Sequence, residues 1–87
     1  MIEIGKRVES FLLQRLDDNG TVRRQWAIFM LGDMKSARAV DKLMALCREN
    51  RVRDWAAKAL GKIGEARSLP SIVEALEMEL RKPLRPG

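Results

Sequence analysis

The chain has 87 residues, 46% hydrophobic and 33% charged, and its 17 basic against 12 acidic side chains give a formal net charge of +5, a balance that favours acidic partners. It has no histidine and one cysteine, which removes Ser-His-Asp and Cys-His nucleophilic systems and any thiolate zinc site, so neither enzyme activity, cofactor nor metal is expected. No segment approaches the roughly 18 apolar residues of a membrane span, and MIEIGKRVES has no apolar stretch behind its charges, so a cytoplasmic protein with no membrane partner is expected.

The first predicted helix runs from about Ile4 to Leu16, with Ile4, Val8, Phe11, Leu12 and Leu16 on one stripe. Asp17-Asp18-Asn19-Gly20 ends it and reads as a solvated turn rather than a catalytic carboxylate pair. Thr21 is the expected cap of a second helix, about Val22 to Asp33, because its hydroxyl can accept an unpaired amide hydrogen of the first turn. Six consecutive apolar residues, Trp26 to Leu31, leave that helix apolar nearly all round. Ser36 is the expected cap of a third helix with Val40, Leu43, Met44 and Cys47 at helical spacing, stopping near Asn50. Asn50 in turn caps a fourth, with Val52, Ala56, Ala59, Leu60 and Ile63 on a narrow stripe ending at Gly64. The fifth begins near Ala66, tolerates Pro70 in its first turn, and offers Leu69, Ile72, Val73, Leu76 and Leu80 as its buried face. Residues 83–87, with two prolines, are expected to fray. Connections of a few residues make neighbouring helices antiparallel.

The stretch WAIFMLGDMKSARAVDKL, from Trp26, returns 29 residues later as WAAKALGKIGEARSLPSI, from Trp55. That period belongs to stacked helical pairs. VRDWAAKALGKIGEARSLPSIVEAL, residues 52–76, resembles the HEAT-like repeat of the phycobilisome lyase type, in which an outer helix V-R-x-A-A-x-A-L-G-x-I-G precedes an inner helix with A-V-P-x-L-I-x-x-L. The preceding repeat keeps Leu31-Gly32 and Ala37-Arg38, but has Met34-Lys35 for Ile-Gly, Asp41 for the proline, and one extra residue after Val22-Arg23. The first helix resembles the inner half of a repeat. The resemblance implies an all-α chain, a short right-handed α-solenoid of about five antiparallel helices. It forms one domain over residues 1–82, divided into a half repeat 1–20 and repeats 21–50 and 51–82, with the tail beyond.

The function implied by the resemblance is a non-catalytic scaffold or adaptor for a protein partner. An accessory subunit related to bilin lyases is a remote alternative, without a bilin-binding signature here. The candidate interface is Leu13, Trp26, Phe29 and Trp55. Trp26 and Trp55 stand where the family pattern has alanine; the expectation is that they fill a groove between successive outer helices, the alternative that they form an exposed pair. Phe29 corresponds to Lys58, a solvent-side place, and so calls for a cover from the first helix, a partner or a second subunit. The carboxy-terminal helix reads as a cap, with Glu74, Glu77 and Arg81 outward, whereas Ile2 and Leu13 mark an open amino-terminal end, through which a closed two-fold homodimer is expected. The competing class is nucleic-acid binding by a basic surface of Arg24, Arg51, Lys58 and Lys62 around the tryptophans. Arg23 and Arg53, after the repeat's valines, are read as structural. Cys47 is expected to be buried and inert.

Overall fold

In a computed structural model, the backbone is described for residues 2–82 and the side chains for residues 5–82. The apolar periodicities become five α-helices: α1 Ile2–Arg15, α2 Thr21–Asp33, α3 Val40–Leu46, α4 Arg53–Ile63 and α5 Leu69–Leu80. No strand occurs among the described residues. A single 3-10 turn leads into α3 (Ala37–Ala39) and into α5 (Ala66–Ser68), at positions one repeat apart. The expectations for residues 83–87 and for the side chains of Ile2 and Ile4 lie outside the described residues.

Helix ends depart from the expected caps for reasons visible in the backbone. Gly20, not Thr21, holds the N-cap position of α2, because Asp18 Oδ1 accepts the Gly20 N–H at 2.7 Å and the chain turns one residue earlier. Ser36 precedes its 3-10 turn but makes no capping hydrogen bond; its hydroxyl donates to Glu9 of α1 instead. The third helix stops at Leu46 rather than near Asn50, and Val52 rather than Asn50 precedes α4. Arg53 supplies the reason: its Nε donates to the Cys47 carbonyl at 2.8 Å and its Nη2 to the Arg48 carbonyl at 3.2 Å. Those carbonyls serve the guanidinium, and the chain turns into α4 around a nearly buried cation.

Two left-handed residues stand at the same place in successive units, Lys35 after α2 with φ 54° and Gly64 after α4 with φ 77°. Such a residue ends a helix by turning the chain away, and glycine adopts it without a Cβ clash.

The most extensive helix contact joins α2 to α4; α2 also meets α1, and α4 meets α3 and α5. Their shared core contains Leu16, Ile28, Leu31, Val40, Leu43, Val52 and Leu60, all essentially without solvent exposure. Each such side chain contributes about 1.5–3 kcal/mol of burial. Close approach of α2 and α4 depends on Gly32, where a methyl group would lie 2.9 Å from Ala59 Cβ and 3.0 Å from Ala59 Cα.

The apolar stripe expected to be buried on α5 is largely open. Leu69, Val73, Leu76 and Leu80 are exposed and Ile72 is half-buried, while Ala75 takes the fully buried place. Leu12 of α1 and Leu16 just past its end reach the core, but Val8 and Phe11 are exposed, with the Arg15 guanidinium 4.5 Å from the Phe11 ring centroid. Glu74, Glu77 and Arg81 face outward as expected, but the apolar stripe of α5 is exposed beside them. Leu13, expected to mark the open amino-terminal end, instead packs half-buried against the core.

Candidate functional site

The helical spacing of α2 puts Trp26 and Phe29 on one side, one turn apart, while Ala27, Ile28 and Leu31 turn into the core. On α4, Ala56, Ala59 and Leu60 are buried and Trp55 points outward. The α2–α4 contact then aligns three rings: Trp26 to Phe29 at 6.2 Å between centroids with planes at 82°, and Phe29 to Trp55 at 6.4 Å and 73°. Both are edge-to-face arrangements, which the ring quadrupoles favour.

The expected burial of the tryptophans in a groove is not what occurs. Trp26 is 63% exposed, and Phe29 and Trp55 are also exposed. Gly32 and Ala59 hold α2 and α4 close together, and the three rings lie outside that contact. The Lys62 ammonium lies over Phe29, 4.6 Å from the ring centroid. Phe29, Trp55, Lys58, Ala59 and Lys62 together line a cleft of about 250 Å³. Leu13 does not join this surface.

The four expected basic residues separate. Lys58 and Lys62 flank the cleft, each paired with a carboxylate: Lys58 with Asp54 at 3.6 Å and Lys62 with Asp33 at 2.7 Å. Arg51 is exposed but does not line the cleft. Arg24 is no surface cation at all. Its side chain is largely buried, with Nη1 on Glu49 Oε1 at 2.9 Å and Nε enclosed without a hydrogen-bond partner.

Of the two arginines read as structural, Arg53 is held by backbone carbonyls, whereas Arg23 is open to solvent 3.6 Å from Asp18. Counting 29 residues back from Arg53 reaches Arg24, so plain repeat register locates the buried partner that alignment on the valines misses. Asp17 and Asp18 do not converge on one site, since Asp17 pairs with Lys42 at 3.0 Å and Asp18 holds the turn. The hydrogen bond from the Gly20 N–H, followed by the field of Arg23 and Arg15, holds the Asp18 carboxyl below the usual carboxylate range. Cys47 is buried as expected, and burial pushes its thiol pKa up.

The repeat also fixes how its Ala-Arg pair is used. Arg38 reaches back to Glu9 of α1 at 3.3 Å, and Arg67 reaches back to Asp41 of α3 at 2.6 Å. Each arginine thus ties its unit to a carboxylate on a helix of the preceding unit, through a pair open enough to solvent to contribute less than about 1 kcal/mol.

Among the described residues, no three His, Cys, Asp or Glu side chains are grouped to hold a metal ion, and no helix is long and apolar enough to cross a membrane. No curated protein and no solved structure shows a significant match to the chain. The family of HEAT repeats matches residues 9–85, which takes in all of α2 to α5 and the second half of α1. HEAT repeats are commonly protein-interaction scaffolds and typically non-enzymatic. The repeated helices, the 29-residue register of their turns and this match agree, and the chain belongs to the HEAT repeat family.

Proposed function

We propose that the protein is a non-catalytic adaptor whose five helices form a short right-handed α-solenoid, and that it holds a protein partner on the ridge formed by Trp26, Phe29 and Trp55. The resemblance of residues 52–76 to phycobilisome-lyase-type repeats supports this form of stacking; it carries no bilin chemistry. One observation bears most weight: three aromatic rings from two helices stand exposed in contact with one another, beside a cleft edged by Lys58 and Lys62. Exposed aromatic clusters favour a partner that brings apolar surface, and tryptophan is enriched where truncation weakens binding most. The two lysines favour carboxylates around that apolar anchor.

The stacking of an unpaired base between these rings is the second reading, favoured by Trp26 and the adjacent ammonium groups. The ion pairs of Lys58 with Asp54 and Lys62 with Asp33, together with the withdrawal of Arg24 from the surface, reduce the phosphate-binding capacity of the same patch.

Affinity capture with wild-type protein and with Phe29→Glu as baits tests the proposal. Partners retained by the wild type and lost from the folded variant support it, and Trp26→Ala should weaken the purified complex by about 30-fold, a loss of about 2 kcal/mol. Identical captured sets from the two baits would remove the ridge from consideration. Tight binding of single-stranded oligonucleotide that falls steeply with added salt would replace the adaptor by the nucleic-acid reading.

A further inference from the structure

The asparagines of the chain, Asn19 and Asn50, are both exposed, but their successors differ: Gly20 follows the first and Arg51 the second. An asparagine carboxamide can be attacked by the backbone nitrogen of the next residue, which closes a small imide ring. Glycine puts no side chain beside that nitrogen, so the approach is least hindered there. At Asn50 the Arg51 side chain stands in the way.

The turn before α2 supplies more than an open nucleophile. The Gly20 N–H donates to Asp18 Oδ1 at 2.7 Å, while no side-chain hydrogen bond among the described residues holds the Asn19 carboxamide. That N–H lies in the peptide plane, whereas the nitrogen attacks through the face of the plane, so the hydrogen bond leaves the attack direction open. As the new bond forms, the nitrogen's proton becomes acidic, and a carboxylate at this distance is within the reach required of a general base.

We propose that Asn19 is a self-modifying site, where the Gly20 nitrogen attacks the carboxamide carbon and Asp18 takes up the proton that the nitrogen releases. The bond from Gly20 N to Asn19 Cγ forms, the Cγ–Nδ2 bond breaks, and the amide leaves as ammonia with the proton handed on by Asp18. Water then opens the imide at either carbonyl. One product is aspartate; the other is an isoaspartyl linkage, in which the main chain runs through Cβ.

Either product adds a carboxylate to a cleft of about 410 Å³ that Asn19 lines with Asp17, Asp18, Arg24, Lys42 and Glu49. Arg24 and Lys42 already face the three carboxylates there, so the added charge is repulsive. The isoaspartyl form also lengthens the chain between Asp18 and Gly20 and removes the spacing by which Asp18 holds the start of α2. The reaction therefore loosens the joint between α1 and α2. This cleft shares no lining residue with the one beside the aromatic ridge, and the inference is independent of the adaptor reading.

Wild type, Gly20→Ala and Asp18→Asn, each checked for helical circular dichroism, are held in warm neutral buffer. Peptide mass mapping that separates aspartyl from isoaspartyl forms then follows positions 19 and 50. Alanine fits at Gly20, whose φ is −76°, with its methyl group 3.3 Å from Asp18 Oδ1 and 3.5 Å from Arg23 Cδ. Wild type should convert at Asn19 well ahead of Asn50, and Gly20→Ala should convert far more slowly. Asp18→Asn keeps an oxygen for the Gly20 N–H but takes up no proton, so conversion at Asn19 should slow by roughly 10-fold or more. Converted wild type should unfold at a lower urea concentration than fresh protein. A wild type that stays unmodified at Asn19, conversion at Asn50 as fast as at Asn19, or an Asp18→Asn rate equal to or above that of wild type would each overturn the assignment.

Discussion

Arg53 and Arg24 lie one repeat apart, both with most of the side chain out of water, yet they differ in their partners. Arg53 donates to two carbonyls of the turn before α4, which exists in that form because the guanidinium satisfies it. The corresponding turn before α2 is Asp17-Asp18-Asn19-Gly20, which satisfies itself through Asp18. Arg24 is left with one carboxylate and an enclosed, unpaired Nε. A sequence repeat therefore preserves the helices more faithfully than the polar groups that join them: packing repeats when volumes repeat, whereas a hydrogen bond also needs its particular partner.

The largest effect is expected where this contrast is broken. Arg53→Met keeps the apolar stem but strands two carbonyls, and should lower unfolding stability in urea by about 3 kcal/mol. Arg24→Met removes an unpaired buried donor and one half-exposed ion pair, and should change stability by less than about 1 kcal/mol. Equal losses for the two would show that both arginines act only through their stems.

Gly32 and Gly61 sharpen the comparison through shape. Gly32→Ala forces α2 away from the Ala59 backbone and should cost about 1–3 kcal/mol despite the better helix propensity of alanine. Gly61→Ala, measured in dilute solution, should raise stability by roughly 0.5–1 kcal/mol, because only the propensity gain remains. The two members of the left-handed pair should respond with opposite signs. Lys35→Gly should stabilise by about 1 kcal/mol by relieving its φ of 54°, and Gly64→Ala should destabilise by about the same amount.

The smallest effect concerns pH. The Gly20 N–H depresses the Asp18 pKa in the folded state, so its contribution is present above the ordinary value of 3.8 and is lost as pH falls through the lower folded value. The stability difference between wild type and Asp18→Asn should be constant near neutrality and shrink below about pH 4. A difference that does not vary down to pH 2 would mean that the carboxylate charge contributes nothing to the turn.

Much of the fold was legible because apolar spacing and the 29-residue offset act over whole helices. Leu12, Leu43 and Leu60 all fall on the stripes that periodicity assigns. Caps were less legible, since Thr21, Ser36 and Asn50 each have a suitable side chain, and the choice depended on neighbours distant in sequence such as Glu9 and Arg53. Within the candidate surface, Phe29 stood out as an aromatic at a lysine position, and its exposure follows from that register. The exposure of Trp26 and Trp55 depended on how α2 and α4 pack against each other, which no local pattern states. On α5 the stripe itself was visible in the sequence; periodicity identifies an apolar face without saying whether the same chain covers it.

Cys47 gives this small protein a built-in clock. It is buried just past the end of α3 and lines, with Met44, Arg48, Ser71 and Glu74, a cleft between α3 and α5, and burial suppresses its thiolate. A thiol reagent gains full access to it when that cleft widens or the whole chain opens. Labelling rates under native conditions should thus time the opening of this cleft, and comparison with the rate of global unfolding would separate partial opening from complete loss of the fold.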